Sequence, residues 1–197
     1  LAAWADFASL VSGLKLIIEN EHNLWSHRPA VFLFNHQSAM DTVIMVKLVR
    51  RDVIGIAKKE IKRQPFLGPD LSLTGTVFID RDSDKKPREL LQPAVDKLAE
   101  GRSVAIAPEG TRSKDEKLGP FKMGAFYLAM EAGVPLVPVV IHNALDALPN
   151  HSKVVRPAEV KVTVLEPIPT ESWTKRSLVK ACRDVRQAYL DTLGQQE

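Results

Sequence analysis

Apolar positions along this chain cluster into short runs separated by polar and turn-forming residues. Runs of strand length fall at 14–19, 30–34, 53–57, 76–79, 103–107, 134–141 and 159–165, and each reads as a buried or half-buried strand. Longer segments at 41–49, 87–100, 122–132 and 174–193 read as helices. Pro87 suits a first helical turn, while Gly101, Gly133 and Gly194 suit helix ends. In the last helix Leu178, Ala181, Val185, Ala188 and Leu193 recur at near-helical spacing, which predicts a structural helix packed on the core. Strands alternating with helices predict an α/β fold: a single layered domain with a mostly parallel mixed sheet flanked by helices. The pattern does not order the strands in space. It shows no internal repeat, low-complexity tract or linker, and 143–157 reads as the longest irregular loop.

Residues 1–14 carry a different pattern. Trp4, Phe7, Val11 and Leu14 lie at helical spacing with Leu10 beside them, while Asp6, Ser9 and Ser12 fall largely elsewhere. Such an amphipathic helix either packs on the domain or associates with a membrane, with Trp4 at the level of the headgroups. No apolar run approaches the ~18 residues of a membrane span, and no signal-peptide pattern is seen. The chain opens on Leu1, so the expectation is part of a longer protein, from which an anchor or another domain could be missing.

Composition narrows the class. With 197 residues, 45% hydrophobic and 26% charged, residues 1–197 suffice for one domain with a real core. Cys182 is the sole cysteine, which excludes an internal disulfide and a multi-cysteine zinc site and fits a reducing, cytoplasmic setting. The net charge of +3 is mild, but Lys47, Arg50, Arg51, Lys58, Lys59, Lys62 and Arg63 face only Asp52 and Glu60 along 47–63. This cluster suits anionic lipid, a nucleotide cofactor or nucleic acid, against the plain alternative of a solvated basic face. Basic residues are not interleaved with aromatics, so nucleic-acid binding is not expected. There is no phosphate-binding GxxxxGK[ST] loop. His22, His27, His142 and His151 are scattered, and no metal site is expected.

The chemistry concentrates just after predicted strands. Asn35-His36-Gln37-Ser38-Ala39-Met40-Asp41 puts a histidine and an aspartate in a strand-to-helix turn. A histidine there can accept a proton near neutral pH, and a carboxylate can hold its ring and balance its charge. Phe78-Ile79-Asp80-Arg81 ends the fourth strand and Pro108-Glu109-Gly110-Thr111-Arg112-Ser113 follows the fifth, where ligands collect in α/β sheets. Arg81 and Arg112 offer forks that match phosphate oxygens. Gly110 permits close backbone approach. Glu109 could accept a hydroxyl hydrogen bond or hold an arginine, and Asp80 reads as structural, pairing with an arginine. Each cluster alone is also explained by structural salt bridges or caps.

Together these segments resemble the glycerolipid acyltransferase family, which includes the bacterial-type lysophosphatidate acyltransferases. The resemblance runs over about 14–165. It rests on Asn35, His36 and Asp41 for an NHxxxxD block, on Phe78 to Arg81 with Gly75 upstream, and on Glu109 to Ser113 for an EGTRS block. The proline-containing strand 134–141 and Lys58-Lys59-Glu60 before Pro65-Phe66-Leu67-Gly68 complete it. By the same resemblance, Asn-His-Gln-Ser and Phe-Ile-Asp-Arg are similar to the blocks of members that acylate lysophosphatidate rather than glycerol 3-phosphate, without excluding other lysophospholipids.

The resemblance implies an enzyme that transfers an acyl group from acyl-CoA or acyl carrier protein to the sn-2 hydroxyl of lysophosphatidate. His36 would be the base and Asp41 its orienter. Lys58, Arg81, Glu109, Gly110, Thr111 and Arg112 would bind substrate, with no cofactor beyond the thioester co-substrate. The implied setting is the cytoplasmic face of the cell membrane, peripheral or monotopic, on anionic lipid. Phe66, Leu67, Leu71 and Leu73, beside the basic cluster, could form an apolar lip there, against the plain alternative of a hydrophobic loop packed on the domain. With no GxSxG elbow, and Cys182 reading as a small buried hydrophobe, transfer is expected to be direct, without an acyl-enzyme. The motif does not say which ring nitrogen faces Asp41, and backbone N–H groups near the motifs are the candidates for oxyanion donors. The alternatives are another lysophospholipid as acceptor, a thioesterase, and a non-catalytic lipid- or acyl-CoA-binding module. Binding alone needs neither His36 nor Asp41, which speaks against the last.

Overall fold

Seven strands join in one sheet among the residues described by the computed structural model (2–63, 71–80, 83–84, 86–113, 117–152 and 154–196). They are β1 (Leu14–Glu19), β2 (Val31–Phe34), β3 (Val53–Lys58), β4 (Val77–Ile79), β5 (Ser103–Ile106), β6 (Leu136–Ile141) and β7 (Ala158–Val164). The order across the sheet is β1-β7-β6-β2-β5-β3-β4. Only β6 with β7 pairs antiparallel; the other pairings are parallel. The helices are α1 (Ala2–Ser12), α2 (Met40–Val49), α3 (Pro87–Ala99), α4 (Gly124–Ala132), α5 (Ala144–Ala147) and α6 (Leu178–Leu193). This is the mostly parallel mixed sheet, flanked by helices, that the alternation predicts.

All four residues of β2 are buried, because it lies between β5 and β6 with helices on both faces. Its side chains alternate as the pleat requires. Phe32 and Phe34 join the layer under α2 and α5, while Val31 and Leu33 join the layer under α3, α4 and α6. The chain leaves β2, skips one place to β3, adds β4 outside, and returns to insert β5 between β2 and β3. The parallel strands β2, β3, β4 and β5 therefore end on one edge of the sheet, which gathers the segments that follow them.

Pro138 sits inside β6, where it cannot donate to the ladder. The hydroxyl of the fully buried Tyr189 bonds Leu33 O and takes the Val139 N–H at 3.1 Å, so a side chain from α6 completes this part of the β2–β6 pairing.

Several boundaries differ from the expectation. Thr174 and Ser177 cap each other reciprocally, with Thr174 N to Ser177 Oγ at 2.9 Å, so α6 starts at Leu178 rather than at 174. The stretch 143–157 contains the short α5. Helix α4 starts at Gly124, leaving Lys122 ahead of it with its N–H held by Pro108 O at 2.8 Å.

The N-terminal helix also differs. Its inward face is Ala5 and Ser9, small enough for close approach to the domain, and Asp6 ties it to α2 through Lys47 at 3.1 Å and Arg50 at 3.0 Å. Phe7, Leu10 and Val11 point outward, 66%, 80% and 71% exposed. Leu14 belongs to β1 and is separated from the helix by Gly13 at φ +68°. The apolar stripe therefore does not pack on the core. The Trp4 side chain lies outside the described residues.

Candidate active site

The edge where β2 and β5 end carries a buried polar network built from Asn35, Gln37, Ser38, Asp41 and Glu109. Beyond Phe34, the Asn35 side chain donates to Ile141 O and accepts from Ile141 N, both at 2.8 Å, so it acts as one more rung between β2 and β6. That rung fixes the base of the turn carrying His36.

Asp41 stands in the first turn of α2 and is fully buried. Its Oδ2 accepts three donors: His36 Nδ1 at 2.9 Å, Gln37 N at 2.7 Å and Ser38 N at 2.8 Å. A carboxylate at a helix N-terminus bonded to backbone N–H groups is favourably placed. An ionised carboxylate only accepts, so Nδ1 carries the hydrogen, and in the neutral ring it is Nε2 that holds the lone pair. This decides what the motif leaves open. The His36 side chain is 22% exposed and lines a cleft of about 1690 Å³. Asp41 Oδ1 is buried without a hydrogen-bond partner among the described residues. Ser38 is committed elsewhere: its hydroxyl donates to Leu148 O at 2.8 Å and takes the Met40 N–H at 3.2 Å.

Insertion of β5 beside β2 brings the 109–113 segment against His36. Glu109 Oε1 accepts the His36 backbone N–H at 2.7 Å, Glu109 Oε2 accepts the Gly119 N–H at 2.9 Å, and Ser113 N donates to His36 O at 2.9 Å. Glu109 is 6% exposed. Burial pushes its carboxyl pKa up, and the two N–H donors pull the other way. The segment thus spends Glu109 on backbone groups, where the sequence suggests a substrate hydroxyl or an arginine.

Gly110 (φ +75°), Thr111 and Arg112 line the cleft. A Cβ at Gly110 would stand 2.9 Å from Lys122 Nζ, the movable end of a long side chain, so it is the positive φ of the turn that favours glycine here. Lys58, at the end of β3, also lines the cleft and reaches Glu60 at 3.6 Å. Asp80 meets Lys59 at 3.1 Å. The floor and walls are largely apolar, with Val43, Val46, Ile54, Ile56, Leu71 and Leu90 among them.

His36, Lys58, Gly110, Thr111 and Arg112 therefore line one cleft, while Asp41 and Glu109 are buried behind it and bonded to His36. Arg81 lies outside the described residues, as do Phe66 and Leu67 of the expected lip; Leu73 is exposed. Cys182 is buried in α6 near Phe121 O, and burial pushes its thiol pKa up. Lys122 is one of the cleft residues that sequence reasoning missed, with Lys86, Arg88, Glu89, Tyr127 and Lys175. The signal for Lys122 is a basic residue between Phe121 and Gly124, read there only as the start of a helix.

The Acyltransferase family model matches residues 15–142. The chain is 34% identical to a yeast (Saccharomyces cerevisiae) 1-acyl-sn-glycerol-3-phosphate acyltransferase, over 93% of this chain and 61% of that protein. It is 35% identical to the human beta form of that enzyme, over 90% and 66%, and 30% identical to the Salmonella typhimurium enzyme, over 93% and 76%. The chain thus spans less than two thirds of the length of the yeast and human relatives. The crystal structure of the 1-acyl-sn-glycerophosphate acyltransferase PlsC from Thermotoga maritima superimposes with a TM-score of 0.81 at 25% identity, covering all of this chain and 79% of that one. A match of the family model across both His36 with Asp41 and the 109–113 segment, on a shared fold, settles kinship: the chain belongs to the Acyltransferase family.

Proposed function

We propose that this chain transfers a fatty acyl group from an acyl thioester to the sn-2 hydroxyl of lysophosphatidate. The observation that carries the reading is the His36–Asp41 pair: Nδ1–H is held by a buried carboxylate, and the bare Nε2 belongs to the ring that lines an apolar cleft. The acceptor oxygen attacks the thioester carbonyl as Nε2 takes its proton. The tetrahedral intermediate collapses, the C–S bond breaks, and the departing sulfur receives the proton from His36. One thiol is released for each ester formed, and His36 returns to its starting state. Asp41 holds the ring and balances its transient positive charge.

Arg112 and Lys122 line the same cleft and make no ion pair among the described residues. With Lys58 they give the wall a positive charge suited to the acceptor's phosphate. The apolar lining suits an acyl chain. Either a coenzyme A or a carrier-protein thioester satisfies this chemistry.

Phe7, Leu10 and Val11 on the outer face of α1 suit attachment to a membrane surface, where acceptor and product reside. Among the described residues no helix is long and apolar enough to cross a membrane. The exposed apolar face of α1 supports the reading of a peripheral or monotopic enzyme at the cytoplasmic membrane face.

The test is thiol release by the purified protein with acyl thioester and lysophosphatidate in vesicles, beside His36→Ala. Acceptor-dependent release, lost in a variant of unchanged circular dichroism, is expected. Release that ignores the acceptor would make the protein a thioesterase instead.

A further inference from the structure

Glu109 is nearly buried, lies beside the base, and has both oxygens engaged by backbone. Oε1 holds the His36 N–H at 2.7 Å and Oε2 the Gly119 N–H at 2.9 Å. The anchor beyond Gly119 is itself fixed. Arg186 of α6 donates to Gly119 O at 3.2 Å, and Leu118 N donates to Gln195 Oε1 at 2.9 Å. A Cβ on Gly119 would stand 2.8 Å from Glu109 Oε2, so the loop approaches the carboxylate as closely as a side-chain-free residue allows. On the other side, Ser113 N holds His36 O at 2.9 Å. The peptide groups flanking His36 are therefore gripped by the 109–113 segment, while its ring is gripped by Asp41.

We propose that Glu109 is a positioning residue: its carboxylate bridges the His36 and Gly119 backbone amides and so sets the position of the base against the Arg112-bearing loop, without touching substrate. The proposal rests on the acyl-transfer reading above for its kinetic readout only. A bridging carboxylate is suited to the task because it has two acceptor oxygens for two donors. Glutamine has one acceptor and one donor group, so one backbone N–H would face an NH₂. The same geometry also assigns the His36, Gln37 and Ser38 N–H groups to carboxylates, which leaves them unavailable to a developing oxyanion.

Two variants perturb the bridge from opposite ends. Glu109→Gln alters the acceptor, and Gly119→Ala pushes a methyl against Oε2 while leaving Glu109 intact. Both are expected to lower kcat by roughly 10- to 100-fold with KM for lysophosphatidate and thioester held within about threefold, since sub-ångström misplacement of a base slows the chemical step and not binding. A rise in acceptor KM at unchanged kcat in Glu109→Gln would make Glu109 a substrate contact and overturn the proposal, as would wild-type kinetics in both variants.

A resting-state readout is independent of turnover: the proton resonance of His36 Nδ1–H and the exchange rate of the His36 amide. Both are expected to change in each variant. An unchanged ring proton and amide in folded Gly119→Ala overturns the proposal even if the wild-type protein transfers no acyl group. Inactivity of the wild type itself would sink the acyl-transfer reading alone.

Discussion

Asp41→Asn separates charge from shape at the base. Asp41 Oδ2 takes donors from His36, Gln37 and Ser38 at 2.9, 2.7 and 2.8 Å, and an asparagine oxygen in the same place can keep all three. What disappears is the negative charge that balances the imidazolium as Nε2 takes the hydroxyl proton. Unit charges roughly 4 Å apart interact by about 4 kcal/mol at an effective dielectric near 20. At ~1.4 kcal/mol per tenfold in rate, kcat is expected to fall about 10³-fold. That is inside the range of ~10²- to 10⁴-fold typical for a positioned base. KM for both substrates is expected to stay within about threefold, because Asp41 is buried behind the ring and touches neither.

A second effect is separable. Asp41 Oδ1 is buried without a partner among the described residues, and asparagine would place an NH₂ there. An unpaired buried donor costs about 1–3 kcal/mol. The melting temperature is therefore expected to drop by several degrees, roughly 2–4 °C per kcal/mol for a chain of this size. The assay is initial-rate thiol release from the acyl thioester at saturating lysophosphatidate, well below the variant's own midpoint. A folded Asp41→Asn that keeps kcat within about tenfold of wild type would refute the reasoning, since a third or less of the worked electrostatic energy would then be in play.

Three further variants test other parts of the structure. Tyr189→Phe leaves the buried Val139 N–H and Leu33 O without their bridge and is expected to cost about 1–3 kcal/mol by denaturant unfolding, with an unchanged transition midpoint counting against the bridge. Burial holds the Tyr189 hydroxyl pKa well above its ordinary value of 10.0. The stability tied to keeping it neutral is thus intact below that ordinary value and lost as pH rises through the higher folded one, so Tyr189→Phe is expected to flatten the alkaline limb of stability against pH. Arg28→Ala removes donors to Leu24 O, Arg51 O and Val49 O at 2.9, 2.8 and 3.0 Å, the last at the end of α2, and stacking on Trp25 at 4.2 Å; about 2–3 kcal/mol of destabilisation is expected in thermal melts. Leu10→Asp alters an exposed residue of α1, so the fold is expected to survive while co-sedimentation with anionic vesicles weakens about tenfold; binding equal to wild type would remove α1 from the membrane face.

The positions of β2 and β5 show where sequence and structure divide the work. The unbroken apolar run 30–34 marks a strand from sequence alone, and β2 over Val31–Phe34 is buried throughout because a central strand must be apolar on both faces. The proximity of His36 and Asp41 is legible too, since both belong to one turn and the following helix start, a local geometry set by a few backbone dihedrals. What the sequence could not supply was non-local. Glu109 is 73 residues from His36 and reaches its amide because β5 inserts between β2 and β3, a choice made by the packing of the whole sheet.

The same limit explains the other departures. Spacing finds an apolar stripe on α1, but only the fit of Ala5 and Ser9 to the domain turns Phe7, Leu10 and Val11 outward. Helical pattern extends 122–132 through Lys122, but the bond from its N–H to Pro108 O holds it out of α4 and over Gly110. The donor role of His36 Nδ1 likewise follows from a distance that no motif contains. Sequence alone determined the elements, the order of the motifs and the kind of chemistry they permit, because those depend on near neighbours. The tertiary structure decided which oxygens are already spent, which nitrogen is left bare and which apolar face stays in solvent, because each is settled by contacts between segments far apart in the chain.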